Sequence, residues 1–155
     1  GAAWVFAIDL VPERRKLAEQ LGAIALDPAD APQIIAEMTK GRMVDSIVEA
    51  VGADATISLS LRLAAKRGTV SVIGVNQDRR FDFPMGRAFA MGLTFRIGTC
   101  SVPETWPQLV PLLQGGRLHP ERYISHVLPL ADGARAYELF DKRQDGALKM
   151  VLSVD

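Results

Sequence analysis

The sequence predicts an α/β fold, a parallel sheet flanked by helices. Two observations lead there. Short apolar runs alternate with amphipathic stretches along most of the chain, the rhythm of repeated strand and helix units. Runs such as Trp4 to Ile8 are apolar on consecutive positions, as a strand covered on both faces requires. Strand–helix–strand alternation of this kind implies right-handed crossovers between parallel strands.

The elements follow in order. Trp4 to Ile8 is a strand. Pro12 suits the first position of a helix, Leu17, Ala18 and Leu21 recur at helical spacing, and Gly22 ends it. Ala23 to Leu26 is a second strand. Ala31 to Lys40 reads as a helix with Ile34, Ile35 and Met38 on one side. Met43 to Val48 is a third strand, followed by Gly52. Asp54 is placed to cap a helix that turns Ile57, Leu61 and Ala64 inward and stops at Gly68. Val70 to Val75 is a fourth strand. Phe81 to Met91 holds one short helix at most, and Leu93 to Ile97 is a strand. Glu104 to Gln114 is helical and stops at Gly115-Gly116. Ile124 to Leu128 is extended, Ala134 to Phe140 is a short amphipathic helix, and Leu148 to Val154 is a closing strand.

The 155 residues suit one domain. Hydrophobic residues make up 48% and charged residues 23%, so the chain can bury a core. Eighteen basic and eighteen acidic side chains give a net charge of zero. There is no basic stripe for nucleic acid, and no long apolar run or polybasic cluster for a membrane. One cysteine excludes an internal disulfide, and the first residues lack the pattern of a secretory signal. A cytoplasmic protein is expected.

Asp9 carries the strongest chemical signal. It follows an apolar strand and precedes a helix. In a Rossmann-like dinucleotide fold, an acidic residue there accepts hydrogen bonds from the adenosine ribose hydroxyls and repels the extra phosphate of NADP, which favours NAD. On pattern alone, helix capping or a solvated strand end explains Asp9 equally well. The G-x-G-x-x-G loop expected about 20 residues before such an acid does not occur in the sequence. Gly1 itself reads as a helix-ending glycine. The expectation is a Rossmann-like domain without its first β-α unit.

Several segments together resemble the zinc-type medium-chain alcohol dehydrogenases. Asp9-Leu10-Val11-Pro12-Glu13-Arg14 with Leu21-Gly22-Ala23 resembles their second β-α unit. Asp45 through Gly52 resembles the next coenzyme-facing strand, which includes Val51. Gly68 through Val75 resembles the strand whose end touches the nicotinamide, and Gly92 through Gly98 the strand after it. Trp106, Leu113, Gly116, Leu118, Tyr137, Phe140, Gly146 and Lys149 follow the C-terminal pattern.

The resemblance implies roles for matching positions. Asp9 would bind the ribose with Arg14 beside it. Ile73, Gly74 and Val75 would lie near the nicotinamide, where glycine permits close approach. Gly98 and Cys100 would offer backbone contacts to the carboxamide, and Lys149 would reach the pyrophosphate. The plain alternatives are a solvated helix charge for Arg14, an ordinary strand end for Gly74 and a surface lysine for Lys149. Cys100 stands alone, as a small buried apolar residue more often than a nucleophile. His119 and His126 have no partners at zinc-ligand spacing. Asp141, Lys142, Arg143 and Asp145 read as a solvated loop.

In the resembled family, catalytic zinc belongs to another domain. NAD is therefore the cofactor expected here, with zinc in the intact enzyme only. An alcohol or aldehyde is the expected substrate and a homo-oligomer the expected assembly. No catalytic or metal-binding residue is expected among these 155. Rival readings are a zinc-free quinone reductase, an S-adenosylmethionine-dependent methyltransferase and a non-catalytic interaction module. The strand order of the fold also implies a slot between the strands near Trp4 and Met43, about twice the 4.8 Å strand spacing in width. A strand filling that slot, or a direct pairing across it, is expected.

Overall fold

Every strand pair is parallel, so each connection must cross over its sheet. The computed structural model describes residues 1–76 and 80–154 and divides into Gly1–Cys100 and Ser101–Asp155.

In the first unit, β1 (Phe6–Ile8), α1 (Pro12–Gln20) and β2 (Ile24–Leu26) form one parallel pair with its crossover helix. Pro12 occupies the first turn of α1, where its missing N–H costs nothing, and Gly22 leaves the helix at φ +88°. Helix α2 (Ala31–Met38) leads to a three-stranded sheet in the order β3 (Val44–Glu49), β4 (Ala64–Val72), β5 (Thr94–Ile97). Helix α3 (Asp54–Leu63) connects the first two of these strands, and α4 (Met85–Met91) precedes the last.

Two apolar clusters hold this unit together. Leu26, Ala31, Ile35, Leu59 and Leu63 form one, with Phe6, Ile8, Val44 and Ile47 against it. Ile57, Leu61, Ala64, Val70 and Val72 form the other, with Phe81, Phe83 and Phe95 against it. Strand register places Ile47 and Phe95 on either side of Val70, so these three share the covered face. The opposite face carries Ser46, Val48, Ser71 and Arg96, and Val48 is 69% exposed. Cover on both faces, expected from the apolar runs, is therefore not complete within this unit.

Residues 64–68 correct the sequence reading, which continued the helix to Gly68. Helix α3 ends at Leu63, and Ala64 is already extended at φ −65°, ψ 132°. Ala64 is buried as expected, but on a strand. Pairing jumps from Val44↔Ala64 to Ser46↔Thr69, so β4 carries a bulge. Within this bulge Arg67 takes φ +65°, a left-handed conformation without the usual glycine signal. Two further points differ. Asp54 makes no capping bond; Ala53 holds the cap position. Strand β4 ends at Val72, leaving Ile73, Gly74 and Val75 beyond it.

Neither a filling strand nor a direct pairing joins β1 to β3 among the described residues. Both strands instead pack side chains onto the cluster around Leu59 and Leu63. They share burial without sharing hydrogen bonds.

The second unit contains α5 (Val102–Gln114), β6 (His126–Pro129), α6 (Gly133–Asp141) and β7 (Met150–Ser153). The strands β6 and β7 pair from His126↔Met150 to Pro129↔Ser153. Helix α5 begins two residues before the expected Glu104 and includes Pro107 and Pro111 in its interior. With Pro103 they recur every four residues, on an exposed stripe where carbonyls deprived of partners reach water. Short 3₁₀ turns at Pro120–Tyr123 and Leu130–Asp132 complete the unit.

Candidate functional site

The end of β1 is built around Asp9. Its amide donates to Leu26 O, 3.3 Å away, so it extends the β1–β2 pairing by one residue. Its Oδ1 accepts the Val11 N–H at 2.8 Å, closing a local turn. That bond lies ahead of α1, whose cap residue Val11 makes no side-chain capping bond. Asp9 therefore does not cap the helix. Its second oxygen stands 3.8 Å from Arg14 Nη1, and both side chains are about one-third exposed. One carboxylate oxygen is anchored and the other is presented.

Arg15, which the sequence reading passed over, holds this turn in place. Its Nη1 donates to Asp9 O at 2.7 Å, Leu10 O at 3.1 Å and Asp27 Oδ2 at 3.1 Å. That one nitrogen carries two hydrogens, so the three acceptors share them, and a single side chain ties the ends of β1 and β2 together. The only sequence signal was its place in the pair Arg14-Arg15, where a solvated charge is the ordinary reading.

At the ends of β3 and β4, two backbone segments cross in contact. A Cβ added to Gly74 would lie 2.2 Å from Gly52 N and 2.5 Å from Val51 C. A Cβ on Gly52, at φ +81°, would lie 2.5 Å from Val75 O. Both positions need glycine because the chain approaches itself there. The sequence reading gave Gly74 to close approach by a ligand; the structure shows an intramolecular reason. The Ile73 and Gly74 amides donate to Glu49 O at 2.8 and 3.1 Å, which fastens the crossing.

This crossing leaves apolar side chains in solvent. Val51 is 68% exposed, Ile73 60% and Val75 75%. Aliphatic groups clustered at strand ends form a ledge suited to a flat, partly apolar ring. Gly98 and Cys100 follow β5 and are exposed. A Cβ on Gly98 would meet nothing within 4 Å. Cys100 is an exposed free thiol, against the buried apolar role expected of it.

Lys149 belongs to the second unit, just before β7. Its carbonyl accepts the Ser125 and His126 amides at 2.9 and 3.4 Å. Its exposed side chain borders a shallow depression with Tyr137, Phe140 and Met150.

No group of three or more His, Cys, Asp or Glu side chains is placed to hold a metal among the described residues. The donor set here does not fit zinc. His126 lies 3.0 Å from Ser125 Oγ and 3.2 Å from Asp145 Oδ2, superficially a nucleophile, base and acid. Ser125 Oγ, however, accepts the Leu148 and Lys149 amides at 2.9 and 3.3 Å, so it braces the approach to β7. Asp141, Lys142, Arg143 and Asp145 are solvated as expected, although Asp141 ends α6 rather than lying in a loop.

Residues 1–115 match the family model for zinc-binding dehydrogenases. The chain is 38% identical over 155 residues to a probable zinc-binding alcohol dehydrogenase of Mycobacterium tuberculosis, covering 100% of this chain and 40% of that one. It is 33% identical to an alcohol dehydrogenase of Cupriavidus necator, covering 98% of this chain and 43% of the relative. The solved alcohol dehydrogenase of Thermus sp. ATN1 superposes with a TM-score of 0.94 at 40% identity, covering 100% of this chain and 45% of that structure. The chain thus spans less than half the length of these relatives and matches their C-terminal part. The parallel α/β architecture is the Rossmann-like one of these enzymes. These matches do not favour the quinone reductase or methyltransferase readings.

Proposed function

The chain belongs to the zinc-binding dehydrogenase family, and from that premise we propose that residues 1–155 are a partial coenzyme-binding domain of an NAD-dependent alcohol dehydrogenase. One observation carries this reading. Asp9, Val51, Ile73–Val75 and Gly98–Cys100 all follow the carboxyl ends of parallel strands. That is where open α/β sheets bind nucleotides.

Bound NAD supplies the electrophilic nicotinamide carbon that accepts hydride. The chain's own residues bind and orient. Asp9, held by Val11 and Arg15, directs its presented oxygen at the adenosine ribose and disfavours a 2′-phosphate. Arg14 lies alongside. The ledge of Val51, Ile73 and Val75 takes the nicotinamide face and excludes water from it. Backbone groups at Ile73–Val75, Gly98 and Cys100 position the carboxamide. In the whole protein the substrate is an alcohol or aldehyde, the assembly a homo-oligomer and the compartment cytoplasmic. Among the described residues, no helix is long and apolar enough to cross a membrane. No side-chain cluster among the described residues would hold the zinc of the intact enzyme.

Calorimetric titration of the 155-residue chain tests the reading. Weak NADH binding, tighter than NADPH binding, is expected, because the sequence has no phosphate-cradling glycine loop. A preference for NADPH, or submicromolar affinity for NADH, would contradict it. The chain alone is expected to show no alcohol oxidation and no stoichiometric metal. About one tightly held zinc per chain by elemental analysis would overturn that.

A further inference from the structure

Among the described residues, Glu49 is the one acidic residue that is buried, with 4% of its surface exposed. A buried carboxylate is costly unless it is hydrogen-bonded, and this one is bonded on both oxygens. Oε1 accepts the Val51 amide at 2.9 Å, the Gly52 amide at 3.0 Å and the Thr56 hydroxyl at 2.8 Å. Oε2 accepts the Gly52 amide at 3.0 Å. The backbone carbonyl of the same residue accepts Ile73 and Gly74. Glu49 therefore holds the β3-end turn with its side chain, and the segment after β4 with its main chain. Both segments carry the exposed aliphatic ledge.

We propose that Glu49 is a positioning residue for the nicotinamide end of the coenzyme. It fixes the Val51–Gly52 turn against Ile73–Val75 without touching the ligand itself. This rests on the coenzyme-binding reading above. In Glu49→Gln, an amide nitrogen can take the place of an oxygen facing the Gly52 N–H, opposing one donor with another. In Glu49→Ala, the turn loses all its side-chain acceptors.

The test compares NADH with ADP-ribose, which has the adenosine and pyrophosphate but no nicotinamide. Both are titrated into the 155-residue chain and into Glu49→Gln, Glu49→Ala and Glu49→Asp. Losing these bonds should weaken NADH about tenfold in Glu49→Ala while ADP-ribose changes by less than about twofold. Glu49→Gln should fall between, and Glu49→Asp should recover part of the loss. Amide exchange at Val51 and Gly52 gives a second reading without coenzyme. It should be slow in the unmutated chain and fast in Glu49→Ala, while the amides of Ile57 and Leu61 stay protected. Equal weakening of both ligands, or unchanged exchange at Val51 and Gly52, would overturn the proposal. If the unmutated chain bound neither ligand, the coenzyme-binding reading itself would fall, and this proposal with it.

Discussion

At the scale of single residues, what a position touches decides what its substitution does. Asp9 has one oxygen committed to Val11 and one presented beside Arg14. Asp9→Ser should therefore weaken NADH and lessen its advantage over NADPH, as parallel titrations would show; an unchanged ratio would remove Asp9 from the site. Gly74→Ala should cost about 3 kcal/mol, because its methyl would collide with backbone that cannot move aside. Gly98→Ala, with open space around it, should stay within about 0.5 kcal/mol. Urea unfolding of the two variants measures both, and similar midpoints would show that the crossing is not rigid. The place of Asp9 between β1 and α1 was legible because strand, acid and helix stand consecutively in the sequence. Glu49 and Arg15 were not. Each acts through partners that the fold brings near, and a sequence shows an acid after a strand or a charge on a helix without showing its bonds.

At the scale of elements, most strand and helix positions were legible because apolar period and glycine stops agree. They failed where the chain changed state without a stop signal. Leu61 and Ala64 sit at helical spacing, yet α3 ends between them, and the bulge that follows holds Arg67 in a left-handed conformation. Arg67→Gly should thus stabilise the chain by up to about 1 kcal/mol if its side chain packs nothing of value, since glycine adopts that region freely. A lower urea midpoint would show that the exposed arginine stem contributes to packing. In α5 the interior prolines remove amide donors. Pro107→Ala should stabilise the second unit, by about 1–3 kcal/mol. Thermal unfolding would show a higher midpoint, and a lower one would mean that α5 depends on proline stiffness.

At the scale of the whole molecule, the open strand edges dominate. β1 pairs with β2 and β3 with β4, so each keeps one edge without backbone partners among the described residues. Unpaired strand edges are templates for another strand, and every amide left dry and unpaired costs about 1–3 kcal/mol. The two edges lead into groups of the proposed coenzyme site, Asp9 after β1 and Val51 after β3. What covers the edges also sets how firmly the two halves of that proposed site are held. The 155-residue chain should therefore self-associate as its concentration rises, read as increasing mass by light scattering. Exchange at Phe6–Ile8 and Val44–Glu49 should slow together with that rise, because association would supply their missing partners. NADH affinity should strengthen over the same concentration range, since a ligand that binds the associated form better stabilises it by mass action. A concentration-independent monomer whose β1 and β3 amides are already protected would show that those edges find partners within the chain. The open-edge topology would then be wrong.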